Sequence, residues 1–159
     1  MGLIIRSSPI NGDGCYTTAP IKQQTRILEY DGPRISKDDA DKLYETRDIT
    51  YLFGIGNGST VIDGHSMAMF LNHSCDPNCE TDEDDDGHVW ISALRNISAG
   101  EELVYDYNLY DGDLNEPCLC YCGAVHCRGT MYSVAEIRRR KRLASKSNAK
   151  NRFRKEIRA

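Results

Sequence analysis

The chain has 159 residues, 40% of them hydrophobic, which fits one domain with its own core, with or without an appendage. No apolar run approaches the roughly 18 residues of a membrane span, and the first residues lack the apolar segment of a secretory signal. We therefore expect no integral membrane protein and no secretory signal. The net charge of −4 is unevenly distributed, because residues 136–159 carry +9 and the rest of the chain −13.

The first half of the chain predicts short strands separated by turns. Residues 2–8 form a strand candidate, Asn11 to Gly14 a turn, and residues 26–30 a second strand. Ser36 to Tyr44 predicts a short helix with Ser36 as its N-cap and two acidic residues in its first turn. Residues 51–53 and 60–63 predict a hairpin around a glycine-rich turn.

The second half of the chain also predicts short elements separated by loops. A short helix is expected over residues 66–71, a loop over 75–79, and strands over 88–94 and 103–107. Residues 80–86 hold six acids in seven positions and predict a solvated hairpin tip, or else a docking patch for a basic substrate. Many short strands with glycine-rich turns favour a mostly β domain with short helices over a βαβ fold.

Seven cysteines are present, and four of them lie within ten residues. Clustered cysteines without a secretory signal are more typical of metal ligands than of disulfides. Cys120, Cys122 and Cys127 supply three thiolates within eight residues, and zinc prefers four ligands in a tetrahedron. The spacing leaves the fourth ligand open among four candidates: Cys118, His126, Cys75 and Cys79. A structural zinc site is favoured, because an all-thiolate site leaves no open position.

Two further patterns carry polar groups in apolar surroundings. Asn72 and His73 begin a polar loop-forming segment suited to a polar ligand, although His73 alone is interpreted as a satisfied loop histidine. Tyr105 and Tyr107 stand at i and i+2, so on a strand they face the same side. They could line an apolar channel or form a core pair whose hydroxyls bind backbone.

The basic end of the chain predicts a solvated, partly helical or disordered tail. Residues 136–159 contain 11 Lys or Arg and two acids. Such a segment can bind nucleic acid, acidic proteins or the acidic body of the same molecule. The acidic body itself favours a cationic partner, because long-range fields concentrate opposite charge near a surface.

Taken in order, these motifs resemble a SET-domain protein lysine methyltransferase with a zinc-binding post-SET segment. The resemblance covers about residues 3–132 and rests mainly on four segments: Ser8–Gly14, Phe70–Asn78, Gly100–Tyr107 and Cys120–Gly129. The NHSCxPN element and the post-SET cysteines are its most specific parts. Lacking a cysteine-rich pre-SET region, the chain is similar to the small stand-alone SET proteins of bacteria.

The resemblance implies an architecture and two bound groups. The fold would consist of small curved sheets with a pseudoknot at the NHSC segment, over 3–115, followed by the post-SET segment at 116–132 and a basic tail at 133–159. S-adenosylmethionine would bind on one side, and the substrate lysine would enter through a narrow channel from the other. Cys75 would join Cys120, Cys122 and Cys127 as the fourth zinc ligand.

The resemblance also implies residue roles. Tyr107 matches the catalytic tyrosine, Tyr105 the switch that limits product methylation to the mono- or dimethyl state, and Tyr30 a position near the lysine channel. The implied cofactor contacts are Ile10, Asn11, Gly12, Asp13, Gly14, Tyr51, Asn72, His73 and Tyr107. Two departures bear on cofactor affinity: Met69 stands where the family commonly has Arg, and Asp13 where a basic residue is frequent.

The implied substrate is a lysine in a basic protein such as a histone, methylated inside the cell: in the cytoplasm of a bacterium, or on chromosomes in a eukaryotic nucleus. Two alternatives remain. One is a non-catalytic SET-like module that binds basic peptides. The other is a nucleic-acid binder acting through residues 138–158, whose affinity would be sensitive to salt.

Overall fold

The computed structural model describes residues 2–47, 50–110 and 112–156, and in the last helix it describes side chains as far as residue 146. Strands dominate the described part. In chain order the elements are β1 (Leu3–Ser7), β2 (Asp13–Thr17), β3 (Arg26–Glu29), β4 (Arg34–Ser36), α1 (Lys37–Tyr44), β5 (Leu52–Ile55), β6 (Thr60–Asp63), a 3₁₀ turn (Met67–Phe70), β7 (Asn72–His73), β8 (Cys79–Glu83), β9 (Val89–Ala93), β10 (Val104–Tyr105) and α2 (Val134–Glu156).

The strands form four small sheets, which confirms the predicted mostly β architecture. The sheets are β1–β2, β3–β9–β8, β4–β6–β5 and the parallel pair β7–β10. Turns interrupt the chain every few residues, so within the described ranges no sheet exceeds three strands. One apolar core joins them, and its fully buried members include Ile62, Leu71, Ile91, Ile97 and Leu103.

Several local predictions are confirmed in detail. The Ser36 side chain accepts a hydrogen bond from the backbone of Asp39, which makes it the N-cap of α1. β5 and β6 pair antiparallel as the predicted hairpin. The 3₁₀ turn falls where a short helix was expected, with the Ser66 side chain accepting from the backbone of Ala68.

The acidic run from Glu80 to Asp86 is only partly a hairpin tip. Residues 80–83 belong to β8, which pairs antiparallel with β9. The tip begins at Asp84, whose carboxylate accepts hydrogen bonds from the backbone of His88 and from the Trp90 indole. The pattern did not predict this strand because acidic residues disfavour β structure, whereas pairing with the buried strand β9 overrides that preference.

The parallel pair β7–β10 brings two distant segments of the chain side by side. Val104 pairs with Asn72 and Tyr105 with His73. The buried Asn78 side chain pins this crossing, because its amide donates to the carbonyl of Glu102 at 2.7 Å and its oxygen accepts from the backbone of Val104 at 2.9 Å. Asn78 therefore supplies backbone hydrogen bonds that no strand provides at this point.

Replacing Asn78 with alanine is expected to lower the free energy of unfolding by about 2–4 kcal/mol, because both backbone groups lose their partner in a buried setting. Denaturant titration measures the effect. The matched control is Asn115→Ala, since Asn115 is exposed and its amide bonds only within a surface turn. Equal losses in the two variants would contradict the role given to Asn78.

The basic tail forms the helix α2, whose first turns are attached to the body. Glu136 is buried and pairs with Arg139 and Arg140. Arg140 also stacks 3.7 Å over the ring of Tyr132 and donates to backbone carbonyls of the 112–116 loop. Beyond this anchor, residues 141–146 are all exposed. Neither helix of the described residues has the length and apolarity needed to cross a membrane.

Candidate active site

A cavity of about 890 Å³ opens between the β5–β6 hairpin, the 3₁₀ turn, β10 and the cysteine-rich segment. It gathers nearly all the catalytic and cofactor-contacting residues that the resemblance implies. Those lining it are Ile10, Asn11, Gly12, Asp13, Tyr30, Tyr51, Asn72, His73, Tyr105 and Tyr107. Gly14 is the exception, because it lies in β2 outside the lining and faces the carboxylate of Glu102.

Three tyrosines form the inner wall of the cavity. The Tyr105 and Tyr107 rings lie 4.8 Å apart, as expected from their i, i+2 spacing. The Tyr107 hydroxyl donates to the carbonyl of Leu71 at 2.8 Å, and the Tyr30 hydroxyl donates to that of Tyr51 at 2.8 Å. Burial raises the pKa of all three phenols above its ordinary value. They are therefore neutral near pH 7 and act through oriented hydroxyl dipoles rather than as phenolates.

Asn72 fixes the loop that forms one edge of the cavity. Its side-chain amide donates to the backbone carbonyls of Asn11 at 3.2 Å and Asp13 at 3.1 Å, and to the carboxylate of Glu102 at 2.8 Å. Glu102 also accepts hydrogen bonds from the hydroxyls of Ser8 and Tyr16. The loop at 8–13 is thus held open toward the cavity by side chains from β7 and from the segment before β10.

Glu102 is an organising residue that the sequence analysis did not assign. It lies in the Gly100–Tyr107 motif, but nothing in that motif distinguishes it from its neighbour Glu101. The difference is tertiary, since Glu101 pairs with Arg95 on the exposed face.

His73 is buried and bonded at both ring nitrogens. Its Nδ1 accepts a hydrogen bond from the backbone of Tyr107 at 3.1 Å, which places the ring proton on Nε2, 3.4 Å from the sulfur of Cys75. Burial lowers the pKa of His73 to about 4, although Asp106 opposes the shift. The satisfied histidine expected from sequence is therefore also a bridge between the tyrosine segment and a cysteine.

Four cysteines converge beside the cavity, and they are the four that the resemblance implies. The Sγ atoms of Cys75, Cys120, Cys122 and Cys127 all lie within 4.8 Å of one another. Cys75 Sγ is 3.8 Å from that of Cys120 and 3.9 Å from that of Cys127. A tetrahedral zinc site with bonds of about 2.3 Å requires sulfurs about 3.8 Å apart, so the donor set fits zinc.

The backbone around the cluster also favours thiolates. Each of the four sulfurs accepts at least one backbone N–H: from Arg128 to Cys75, from Cys122 to Cys120, from Cys75 to Cys122 and from Gly129 to Cys127. Although burial opposes ionisation and raises the pKa of Cys75 and Cys120, the amides of Cys75 and Ala124 bring the pKa of Cys122 down to about 6. Such donors are typical of the environment around metal-bound sulfur.

The remaining cysteines lie outside this cluster. Cys118 donates its thiol to the hydroxyl of Tyr132 instead. Cys15 and Cys79 are fully buried, and burial raises the pKa of Cys15 to about 11 and that of Cys79 to about 12. Buried thiols of this kind are unreactive core residues. Within the described ranges, the group of mutually close sulfurs includes Cys75, and neither Cys118, Cys79 nor His126 belongs to it.

Fold and site together define a small β protein with a tyrosine-walled cavity beside a four-cysteine cluster. Residues 12–108 match the SET domain. The chain is 35% identical over 141 residues to histone-lysine N-methyltransferase ATX2 of Arabidopsis thaliana, covering 81% of this chain and 13% of that protein. It is 40% identical over 134 residues to the H3 lysine-4 specific histone-lysine N-methyltransferase of Eremothecium gossypii, covering 77% and 14%.

Human histone-lysine N-methyltransferase 2D gives a similar result, 36% identity over 134 residues, covering 78% of this chain and 2% of that protein. The chain belongs to the SET domain family. It spans between 2% and 14% of the length of these three relatives.

Proposed function

We propose that this chain is an S-adenosylmethionine-dependent protein lysine N-methyltransferase. One observation carries the proposal: Tyr30, Tyr105 and Tyr107 meet the Asn72-anchored loop at a single cavity, in a chain of the SET domain family. The relatives reported above are named for histone-lysine methylation. The proposed product is a mono- or dimethylated lysine.

The cavity residues fit the cofactor. The volume of the cavity lies within the range of about 300–1,000 Å³ that small-molecule sites occupy. Ile10, Asn11, Gly12 and Asp13 present their loop to the cavity, and Asn72 holds that loop in place. Tyr51, His73 and Tyr107 line the same space, whereas Gly14 supports the loop from β2. When bound, S-adenosylmethionine supplies a methyl group on a sulfonium, which an amine nitrogen can attack in line.

The chain's own residues prepare the lysine. A free lysine has a pKa of about 10.4, so it arrives protonated and must lose a proton before it reacts. The apolar walls formed by Phe53 and the buried tyrosines disfavour the charged ammonium. The aromatic faces accept the lysine's alkyl stem and, as methyl groups accumulate, its cationic head.

Most of the rate enhancement would come from alignment. Well-oriented reactions reach effective molarities of about 10⁵ M or more. The Tyr107 hydroxyl is fixed on the carbonyl of Leu71 and its backbone N–H on His73, so both ends of this residue are held. Met69 and Asp13 also line the cavity. We expect both departures from the family pattern to act on cofactor affinity rather than on the transfer step.

Zinc would have a structural role. Cys75, Cys120, Cys122 and Cys127 would hold the ion and tie residues 116–132 to the segment that follows β7. Residues 116–132 supply several residues to the cavity lining, Cys118, Leu119, Cys120 and Tyr121 among them. Ordering of residues 116–132 would therefore complete one wall of the site. With four sulfur ligands the ion would keep no open position for a substrate, so it would take no direct part in the transfer.

The substrate we propose is a lysine in a basic protein, with histones first. A body of net charge −13 raises the local concentration of cationic chains. The reaction would take place inside the cell: on chromosomes in the nucleus of a eukaryote, or in the cytoplasm of a bacterium.

Transfer of label from S-adenosylmethionine to core histones and to basic lysate proteins tests the proposal. Label on lysine supports it, and mass spectrometry then identifies the site. Calorimetry with S-adenosylmethionine runs in parallel. Zinc-loaded protein that neither binds the cofactor nor labels any protein in the panel would overturn the proposal in favour of a module that binds basic peptides without turnover.

Tyr105 is expected to limit the number of methyl groups. A phenol hydroxyl in the buried channel occupies space next to Tyr107, and removing it makes room for a further methyl group. Tyr105→Phe should therefore shift the product distribution toward trimethyllysine, measured by mass spectrometry under single-substrate conditions. Phe53→Leu, also in the channel wall, is the control for a general loosening. An unchanged distribution in Tyr105→Phe would contradict the switch role.

A second function, nucleic-acid binding through α2, is favoured by one observation. Six consecutive residues, 141–146, are exposed, so no face of this part of the helix packs on the acidic body. Glu136 does not pair with Arg138, Lys141, Arg142 or Lys146, because its single carboxylate binds Arg139 and Arg140 instead. A helix that is polar on every side and strongly basic fits a polyanion such as DNA.

Binding of a DNA duplex at several salt concentrations tests this function. Replacing these four basic residues with glutamine should flatten the slope of log affinity against log salt by about three to four, since each phosphate contact contributes about 0.9. Arg95→Gln is the control on the acidic body. No binding of duplex or single strand at low salt, or the same slope in both variants, overturns this second function.

A further inference from the structure

Arg128 joins the cysteine cluster to the tyrosine segment. It follows Cys127, and its backbone N–H donates to the Sγ of Cys75 at 3.4 Å. Its guanidinium reaches the other way and binds Asp106 through two hydrogen bonds of 2.7 Å each. Both side chains are about four-fifths buried, with 19% and 20% exposure. One residue therefore touches the cluster with its backbone and the segment between Tyr105 and Tyr107 with its side chain.

Asp106 in turn fixes the backbone that follows Tyr107. Its carboxylate accepts a hydrogen bond from the backbone of Asn108 at 3.0 Å, and Asn108 has a left-handed φ of +46°. A non-glycine residue in this region is strained and needs such support. Asp106 also lies 3.5 Å from His73 Nδ1, the atom that accepts the N–H of Tyr107.

The guanidinium is committed to this single partner. Within the described part of the chain, the buried Nε of Arg128 has no hydrogen-bond partner, while both terminal nitrogens bind Asp106. A buried, unpaired donor costs stability. Because Nε of Arg128 is left unpaired, the position of the guanidinium is set by its two bonds to Asp106 and not by pairing all of its donors.

We infer that Arg128 and Asp106 are positioning residues whose ion pair couples order in the four-cysteine cluster to the position of Tyr107. The inference rests on the proposed function only for the catalytic role of Tyr107. It also assumes that zinc is the ion that the cluster binds. His73 forms a parallel contact between Cys75 and the Tyr107 backbone. Two links thus converge on one peptide unit of the active site.

Reciprocity gives a test that needs no methyl transfer. If the cluster holds the tyrosine segment through this pair, breaking the pair must weaken zinc binding as well, because a coupling free energy acts equally in both directions. Asp106→Asn keeps the shape of the side chain but removes its charge, and Asp106 contributes no sulfur. Its zinc affinity, measured by chelator competition, should fall about five-fold or more.

Hydrogen exchange supplies the second readout. In the wild-type chain, zinc should slow hydrogen exchange of the backbone amides of residues 104–108, that of Tyr107 among them. In Asp106→Asn this protection should be largely lost. Arg128→Lys keeps the charge but cannot form the two parallel hydrogen bonds, so its zinc affinity and exchange protection should lie between those of the wild type and of Asp106→Asn. This variant also serves as the test if Asp106→Asn folds poorly. Glu101→Gln, which breaks the Arg95–Glu101 pair of 2.8 Å on the exposed face, is the matched control.

Wild-type zinc affinity and protection in Asp106→Asn and Arg128→Lys overturn the inference, as does an equal loss in Glu101→Gln. A wild-type chain that binds no zinc overturns it too. If zinc and exchange are coupled as described but no lysine is methylated, the coupling stands and the proposed function falls.

Discussion

Tyr107→Phe is expected to reduce methyl transfer by about 10²–10³-fold while S-adenosylmethionine still binds, because loss of one preorganised hydroxyl dipole at a reacting centre has this magnitude. The ring stays, so packing against Tyr105 and His73 is retained. What disappears is the hydroxyl held on the carbonyl of Leu71. The measurements are kcat on the labelled substrate and cofactor affinity by calorimetry.

The control for this experiment removes a different tyrosine hydroxyl. Tyr44 donates to the buried carboxylate of Asp63, and neither residue lines the cavity. Tyr44→Phe should lower stability while leaving kcat close to the wild-type value. Comparable losses of kcat in the two variants would mean that stability, rather than chemistry, explains the effect. Full activity in Tyr107→Phe would remove Tyr107 from the mechanism.

Neutral phenols also predict a pH profile. Burial keeps the pKa of Tyr30, Tyr105 and Tyr107 above its ordinary value, so none of them ionises in the range where lysine loses its proton. Any rise of kcat/KM with pH therefore belongs to deprotonation of the substrate lysine rather than to a tyrosine.

The positions of the site residues were predictable because they lie in ordered motifs. Asn72, His73 and Tyr107 were assigned through resemblance, and the structure brings them to one cavity. The spacing of Cys120, Cys122 and Cys127 predicted a metal site from chemistry alone. It left the fourth ligand open, because Cys75 comes from a loop that is remote in sequence. Only the parallel pairing of β7 with β10 places that loop beside the cluster.

Other features were not predictable because each depends on one residue from each of two distant segments. Glu102 and Glu101 are indistinguishable in sequence, yet only Glu102 anchors Asn72. Asp106 and Arg128 are ordinary charged residues until the fold places them 2.7 Å apart. The attachment of α2 depends in the same way on Arg140 meeting the 112–116 loop. Local patterns carry no information on such pairs.

Removal of zinc should abolish activity while leaving the β core folded. The main core cluster is built from residues of the strands and their connections, and it contains none of residues 116–131, while the buried Tyr132 lies outside that cluster. Cys120→Ser should therefore keep the main unfolding transition. Its zinc affinity should fall by a factor on the order of 100 or more, because one of the four ligand bonds is lost and the folding of residues 116–132 is coupled to metal binding. With the segment loose, one wall of the cavity is missing, and kcat should fall with it.

Cys118→Ser separates this effect from a general loss of thiols. Cys118 lies two residues from Cys120 but bonds to the hydroxyl of Tyr132 and stays outside the cluster. Its variant should retain one zinc per chain and wild-type zinc affinity. Cys75→Ser completes the set, since it breaks the cross-link from the β7 side and should reproduce the Cys120→Ser result. Loss of zinc in Cys118→Ser together with its retention in Cys75→Ser would show that the fourth ligand is Cys118 and that residues 116–132 order themselves without the body of the domain.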